Sequence, residues 1–556
     1  MIRKLKIANY QLLSRLILVS ILILAAILRF YRLDEYPALN ADEAAIGYNA
    51  YSLIQTGKDE HGNPWPVHFQ SFNDYKPGGY FYITAPFIYF FGLNEWSVRF
   101  PGAMFGVFTV FAVYLLTKQI IKNVNGKYVI FPILAALLLS ISPWHIHFSR
   151  GGWEVNVATF FITLGVFLFL KSIVNPNIFV FSALSFVLSL YTYHAARVVV
   201  PLFCFALFLI YRKKLFSEKN MRLFAGSLIF GFILLIPLVS NFFGENQSRA
   251  SGVSLFADRG YIDRINEARG RFDNPNGLIA RALYNKPKEI TLEFSRNYFE
   301  HFWGEFLFLS GDDIQRNKVP EFGLLYLWQF PLLIAAMFSF ANKQPSKMGI
   351  ILIWLAIAPI PASLTFQSPH ALRAQNMVIP LTILSAYGLA VIINFLKENI
   401  KIKTLLGIFY FLLVVVLTWS LSRYLHQYWV HMAKTFPYSS QYGVKELVDY
   451  LKNTEAEEVI ITTRYDQPYI LFLFYLKYPP QLFQKNHTLT ERDKFGFSTV
   501  PVFDRYLFKS IDFENDKLKY PNALIVGTEE EIPNTANIIK NIYGSNGLLY
   551  FQVVKN

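Results

Sequence analysis

Charge is scarce in this sequence: Asp, Glu, Lys and Arg make up 16% of its 556 residues, well under the roughly 25% of soluble globular domains. A fold surrounded by water on all sides is thereby excluded. Cysteine is nearly absent as well. The single thiol, Cys204, lies inside an apolar run, which rules out an intrachain disulfide framework and a cysteine-based metal centre. There is no internal repeat and no low-complexity tract. The polar segments between apolar runs hold no acidic metal–diphosphate motif, which argues against an enzyme that uses nucleotide sugars directly.

Apolar residues are abundant: 53% of the chain is hydrophobic and 17% aromatic. Apolar stretches fall at about 12–30, 80–93, 98–117, 128–143, 155–170, 177–192, 198–211, 223–240, 322–340, 348–366, 374–396 and 404–422. Many reach the length of about 17–22 residues that crosses a hydrocarbon core of roughly 30 Å. The chain reads as a polytopic helical membrane protein. The run 12–30 follows Arg3, Lys4 and Lys6 without a small-residue cleavage site, so it is expected to be a retained first span.

The net charge of +14 does not point to nucleic acid, because the Lys and Arg residues fall largely in short loops between apolar runs. The positive-inside rule accounts for them there. If every apolar stretch spans, that rule fails at Lys118, Lys122 and Lys127 and at Arg212, Lys213 and Lys214. It is restored if 80–93, short, broken by Pro86 and rich in Tyr and Phe, lies in the interface instead. About eleven spans follow. The loops 118–127, 211–222, 341–347 and 397–403 then face the cytoplasm. The segments 31–97, 143–154, 192–197, 241–321 and 367–373, with everything after 423, face outside. Two domains are expected, a membrane domain over 1–425 and an outer α/β domain over 426–556. In the tail, EEVIITTRY, NALIVGT and LLYFQVV read as strands, and 441–452 and 529–541 as helices.

The outer segments share one oddity. SPWHIHFSRGGWE carries His145, His147, Arg150 and Glu154; YTYHAAR carries His194 and Arg197; SPHALRAQN carries His370 and Arg373. The first outer loop adds Asp42 and Glu43 in NADEAAIGYNA, then Tyr75 and Lys76 in NDYKPGGY. Arg in short outer loops runs against the positive-inside bias, so its recurrence beside a carboxylate pair marks a site rather than anchoring alone. Guanidinium groups match phosphate oxygens bidentately, and a lysine adds a point charge. An Asp at the outer face can take a proton from an attacking hydroxyl. Asp42 also reads as a helix N-cap, which is compatible with that role. GKDEHGNP reads as a turn, in which Asp59 is a candidate substrate contact, and LSGDD around Asp312 reads as a turn or cap. The segment 287–303 reads as a surface helix. Asp512, Glu514 and Asp516 read as a solvated loop.

These residues resemble a family. Asp-Glu after the first span, an amphipathic helix, Lys-Pro before an aromatic interfacial segment, and then SVRFPGAMFGVFTVFAVYLL are similar to the start of the family 39 protein O-mannosyltransferase and aminoarabinose transferase group, in its uncharacterised bacterial branch. The likeness is specific over about residues 30–120 and looser to about 425. It implies the GT-C fold, a polyprenyl-phosphate sugar donor, an acceptor hydroxyl on a protein, lipid or glycan, and inversion at the anomeric carbon. Asp42 falls on the family's catalytic Asp, with Glu43 beside it. Lys76, Arg150, Arg197, Arg373 and Arg99 are the candidate phosphate contacts. Asp59, Tyr75, His145, His194 and His370 are the candidate substrate contacts. Some relatives bind a divalent metal, for which Glu43, His145 and His194 are the candidates here; no cofactor is required by the residues themselves. The family's Lys-Pro-Pro is Lys76-Pro77-Gly78 in this chain, and the Trp-Trp-Asp signature of oligosaccharyltransferases is missing. The alternative class is a transporter or flippase of lipid-linked saccharides. That class is expected to show paired repeats and polar residues at mid-bilayer, which the sequence lacks.

Overall fold

The computed structural model describes residues 2–121, 130–240, 255, 260–342, 348–493, 496–544 and 546–556. The basic loops around Lys122, Lys127 and 343–347, and most of 241–259, lie outside the described residues. The chain forms two compact units. One comprises Met1–Arg29, Met104–Ser149 and Val155–Tyr424; the other comprises Phe30–Ala103, Arg150–Glu154 and Leu425–Asn556. Most of the first outer loop therefore folds with the tail.

The apolar runs of the first unit are helical because a helix satisfies every backbone group without water. Among the described residues of the whole chain, six helices are long and apolar enough to cross a membrane: Leu12–Phe30, Glu95–Ile120, Glu154–Ser172, Asn220–Ser240, Gln375–Asn399 and Lys403–Thr435. A bent pair, Phe131–Ser140 and Pro143–Ser149, turns through 56°. Three shorter apolar helices, Pro176–Thr192, Gln329–Phe340 and Gly349–Ser363, and the helix Ala196–Leu215 complete a set close to the expected number. Gln329–Asn342 and Val378–Asn399 meet at Gly388, where a Cβ would stand 1.9 Å from the carbonyl oxygen of Leu332. Only glycine lets those backbones touch. The segment 286–300 is the exposed helix expected of it.

The second unit is built on the helix Ala41–Thr56, whose entry is a capping box: Asn40 accepts from the Glu43 N–H and the Glu43 side chain accepts from the Asn40 N–H. Most of that helix is buried. It packs against Pro468–Leu476 at Gly47, where a Cβ would meet Phe474 at 2.5 Å and Val98 at 2.7 Å. The hairpin β1 (His68–Ser71) and β2 (Asp74–Pro77) follows. The segment 80–93 is the helix Gly79–Phe91, thirteen residues and hence about 20 Å long, too short to span.

The tail carries one mixed sheet of β3 (Val459–Thr462), β4 (Val502–Phe503), β5 (Tyr506–Lys509), β6 (Leu524–Gly527), β7 (Ile538–Tyr543) and β8 (Leu549–Lys555), in the order β4-β5-β3-β6-β8-β7. β3 is parallel to both neighbours; β8 is antiparallel to β6 and β7. Three expected strands and the helix Val444–Lys452 are present. The expected helix over 529–541 is not. Pro533 interrupts it, the Glu531 side chain turns back to the Thr528 N–H, and Ile538–Tyr543 pairs with β8 instead. Asp512 and Asp516 are not a solvated loop either. Asp512 caps the helix Phe513–Lys519, and Asp516 is buried against Lys509.

Candidate functional site

Asn40, not Asp42, is the N-cap of the first-loop helix, and this two-residue offset decides what each carboxylate does. Glu43 at the third helical position turns inward. Asp42 at the second keeps 30% of its side chain exposed and meets Lys76 Nζ at 2.5 Å.

Glu43 is buried and saturated. One oxygen accepts from Arg99 Nε at 2.7 Å and from the Gly152 N–H at 2.9 Å; the other accepts from Arg99 Nη2 at 2.8 Å and from Asn40. Arg99 spends its remaining donors on the carbonyls of Leu33, Pro37 and Ala38. All five donors of a guanidinium are thus used inside the protein. The pair ties the start of the first loop, its helix and the Arg150–Glu154 segment together. Arg99, expected among the phosphate contacts, presents no donor to a ligand here.

Lys76 is held by the hairpin. Phe72 and Asn73, the two residues between β1 and β2, both have positive φ, 57° and 58°, as a tight primed turn requires. The register then sets Lys76 opposite Phe69, with its ammonium 5.3 Å from the Phe72 ring. Tyr75, opposite Gln70, is half-buried. Gly78 explains the missing second proline. Its N–H donates to the Val67 carbonyl at 2.9 Å, and a Cβ would stand 2.9 Å from that same oxygen.

Arg150 is buried with Nε on the Tyr428 hydroxyl at 3.1 Å, and its guanidinium lies 4.7 Å from the Trp429 ring centre. Asp59 shapes the turn it was expected to lie in: its oxygens accept from the N–H groups of His61, Asn63 and Gln70 and from the Asn63 side chain. Beside it is a group the sequence reading passed over. Glu60 is fully buried, both its oxygens lack a hydrogen-bond partner, and His61 Nε2 stands 3.5 Å away. His61 Nδ1 in turn meets His487 Nε2 at 2.8 Å. Burial, reinforced by Asp59, pushes the Glu60 carboxyl well above the usual carboxylate range. Burial pushes His61 down to about 3. Only the bare Glu-His dipeptide inside an apparent surface turn could have signalled this pair.

In the first unit, His145 is buried with Arg29 Nη2 at 2.7 Å from its Nδ1, and that arginine also caps the carbonyls of Leu139 and Ser140. His194 and Arg197 are half-buried neighbours, 3.4 Å apart. His370 belongs to a knot: its Nδ1 is 3.5 Å from Asp312 Oδ2, its N–H donates to His301 Nε2 at 3.2 Å, and Asp312 also accepts from the Ala371 N–H at 2.6 Å. Asp312 is therefore more than a turn residue. It pins the His370 segment to the loop before Ile314. Arg373 donates to the Thr365 hydroxyl at 2.7 Å and is half-buried. Among the described residues no three His, Cys, Asp or Glu side chains gather as a metal site, so Glu43, His145 and His194 do not form one.

Comparison with known proteins bears on the fold. Residues 19–243 match the family model described as dolichyl-phosphate-mannose-protein mannosyltransferase. An uncharacterized protein of Aquifex aeolicus is 26% identical over 368 residues, covering 62% of this chain and 69% of the relative. The crystal structure of ArnT from Cupriavidus metallidurans in the apo state is similar with a TM-score of 0.52 at 13% identity, over 96% of this chain and 97% of ArnT. ArnT bound to undecaprenyl phosphate gives a TM-score of 0.52 at 12% identity, over 96% and 97%. The Archaeoglobus fulgidus oligosaccharyltransferase tethered to an acceptor peptide gives 0.51 at 12%, over 97% of this chain and 74% of that one. The fold of this chain is the GT-C fold of the membrane glycosyltransferases.

Proposed function

We propose that the protein is an inverting glycosyltransferase that moves a sugar from a polyprenyl-phosphate donor to an acceptor hydroxyl, with Asp42 as the base. The observation that carries this reading is the Asp42–Lys76 pair, 2.5 Å apart and partly open to solvent, set on a capped helix and a tight hairpin. A half-exposed carboxylate beside a cation suits a reaction in which a hydroxyl loses a proton while a phosphate leaves. Asp42 takes the proton of the acceptor hydroxyl, and that oxygen bonds to the anomeric carbon. The carbon–oxygen bond to phosphate breaks, and polyprenyl phosphate departs with the electron pair. General-base help of this kind is worth about 10²–10⁴-fold.

In the structure as it stands, the Lys76 ammonium occupies an oxygen of the base. A donor phosphate competes for that ammonium as a stronger anionic partner, and drawing Lys76 away frees Asp42 to accept a proton. Donor binding thereby switches the base on. Arg197 and Arg373 are both half-buried in the first unit. Arg99 and Arg150 are framework, and Glu43 positions Asp42 rather than reacting. The ArnT structure with undecaprenyl phosphate supports a lipid-phosphate donor. The active face is proposed to be the outer one, on the loop-charge argument.

The test is transfer from a polyprenyl-phosphate sugar by purified protein in lipid nanodiscs, read alongside donor binding. Asp42→Asn should abolish transfer and keep donor affinity; full activity in that variant would remove the base. Lys76→Ala should weaken donor binding, and unchanged affinity would remove the phosphate role.

A further inference from the structure

The first unit contains a cleft of about 380 Å³ between the helices Glu154–Ser172, Phe179–Thr192, Ala196–Leu215 and Glu218–Ser240. Its interior is made of side chains such as Phe169, Phe186 and Phe208. Phe205, Leu228 and Phe232 line it too, yet all three are exposed, so the cleft opens sideways from the helix bundle. The cause is local. Ala196–Leu215 and Glu218–Ser240 are joined by the two residues Phe216 and Ser217, and the second helix is held to Phe179–Thr192 by the Tyr191 hydroxyl on the Leu234 carbonyl. In a bilayer, a phenylalanine-lined slot with an open side faces hydrocarbon chains.

The chain flanking two of the slot's lining residues is strongly basic. Leu215 and Phe224 line the cleft, and Arg212, Lys213, Lys214 and Arg222 stand beside them in sequence, all exposed. Lys171, two residues beyond the lining Phe169, is exposed as well. Glu218 is the one acid of the connecting turn and the first helical turn after it. Lys171 and Lys214 close their helices, where cations also suit the exposed carbonyls. A basic cluster beside an apolar slot complements a lipid with an anionic head and a straight chain.

We propose that this cleft binds one acyl chain of an anionic bilayer phospholipid, with its phosphate held by Arg212, Lys213 and Lys214. Lys171 lies in the last turn of the helix that begins at Glu154, so the basic cluster belongs to the end of that helix away from Glu154. The slot's volume suits a single unbranched chain, whereas a polyprenyl chain is methyl-branched and far longer.

The test uses full-length protein in nanodiscs containing phosphatidylglycerol with a photoreactive group in its acyl chain, followed by peptide mapping. Crosslinks should concentrate on peptides carrying Phe205 to Phe208 and Leu228 to Phe232. Their yield should fall about tenfold in a combined Arg212→Gln, Lys213→Gln, Lys214→Gln variant, the scale expected when several surface cations are lost. Leu228→Trp, which fills the mouth, should lower the yield while leaving the head-group cations in place. Crosslinks scattered over all the spans would overturn the proposal, as would equal labelling by a phosphatidylcholine that carries the same photoreactive group. Displacement of the probe by polyprenyl phosphate, with none by unlabelled phosphatidylglycerol, would assign the cleft to the donor's lipid class and overturn it too. If the tryptophan variant fails to fold, the glutamine variant decides.

Discussion

Glu43 and Arg99 form a two-pronged ion pair, at 2.7 and 2.8 Å, with both side chains buried and every donor of the arginine satisfied. Charge in this position is tolerated only because it is fully paired: the desolvation of either group alone would exceed what its neighbours return. Breaking the pair by Glu43→Gln should therefore cost about 3–5 kcal/mol. Thermal unfolding in detergent should show a large drop in midpoint. Arg99→Lys should be nearly as damaging, because an ammonium cannot reproduce the five-donor fork. A fully stable Arg99→Lys protein would show that the pair is not the tie we describe.

Asp42 presents the opposite case, with part of its side chain exposed and one short bond to Lys76. Asp42→Asn keeps the shape and a weaker hydrogen bond to the buried Lys76, so the unfolding midpoint should fall by less than in Glu43→Gln. Turnover should fall by at least the general-base factor of about 10²–10⁴. The comparison separates the two neighbours: one is needed for folding, the other for reaction. Equal losses of stability in both would contradict the assignment.

The helical membrane class was legible because hydrophobic length is a direct physical signal, and Gly79–Phe91 stood apart because its apolar run is short and aromatic, with Pro86 inside the helix rather than at its end. Asp42 and Lys76 were found as candidates from residue type and resemblance. Their division of labour from Glu43 and Arg99 was not. It depends on which residue caps the helix, and Asn40 competes with Asp42 for that place on nearly equal terms. The same ambiguity hid Glu60, since a Glu inside a Gly- and Asn-rich turn reads as solvated until tertiary packing covers it. The residues 529–541 misled for a related reason. Helical spacing there was overridden by Pro533 and by β8, which begins at Leu549 just downstream and offers Ile538–Tyr543 a hairpin partner.

Glu60 makes stability depend on pH in a direction opposite to that of an ordinary paired carboxylate. Its folded-state proton is held well above the usual range, so above the ordinary carboxyl pKa the unfolded chain has lost a proton that the native state keeps. Stability then decreases as pH rises through that window. Glu60→Gln removes the effect. Its unfolding midpoint should exceed that of the parent near pH 8, and the difference should shrink toward zero near pH 4. His61, lowered to about 3, acts the other way: stability is lost as pH falls below the ordinary histidine range. A His61→Gln variant should therefore flatten the acid side of the profile. A parent profile unaltered by both substitutions would mean that neither group is excluded from water as described.

Gly78 offers the sharpest check on the hairpin. The family that this sequence resembles carries Lys-Pro-Pro where this chain has Lys76-Pro77-Gly78, and Gly78→Pro would reproduce that motif. The geometry says otherwise. Proline has no N–H to give the Val67 carbonyl, which removes a hydrogen bond of 2.9 Å, and its Cβ falls 2.9 Å from the same oxygen. The loss of that bond alone is worth about 1–3 kcal/mol if the carbonyl is left buried, before any steric cost is added. Gly78→Ala keeps the N–H and suffers only the contact, so it should be the milder change. Because Lys76 lies two residues upstream, in the strand that ends at Pro77, Gly78→Pro should weaken donor binding along with stability. An active, unshifted Gly78→Pro protein would mean that the hairpin accommodates the family motif after all, and that Lys76 is not fixed by this contact.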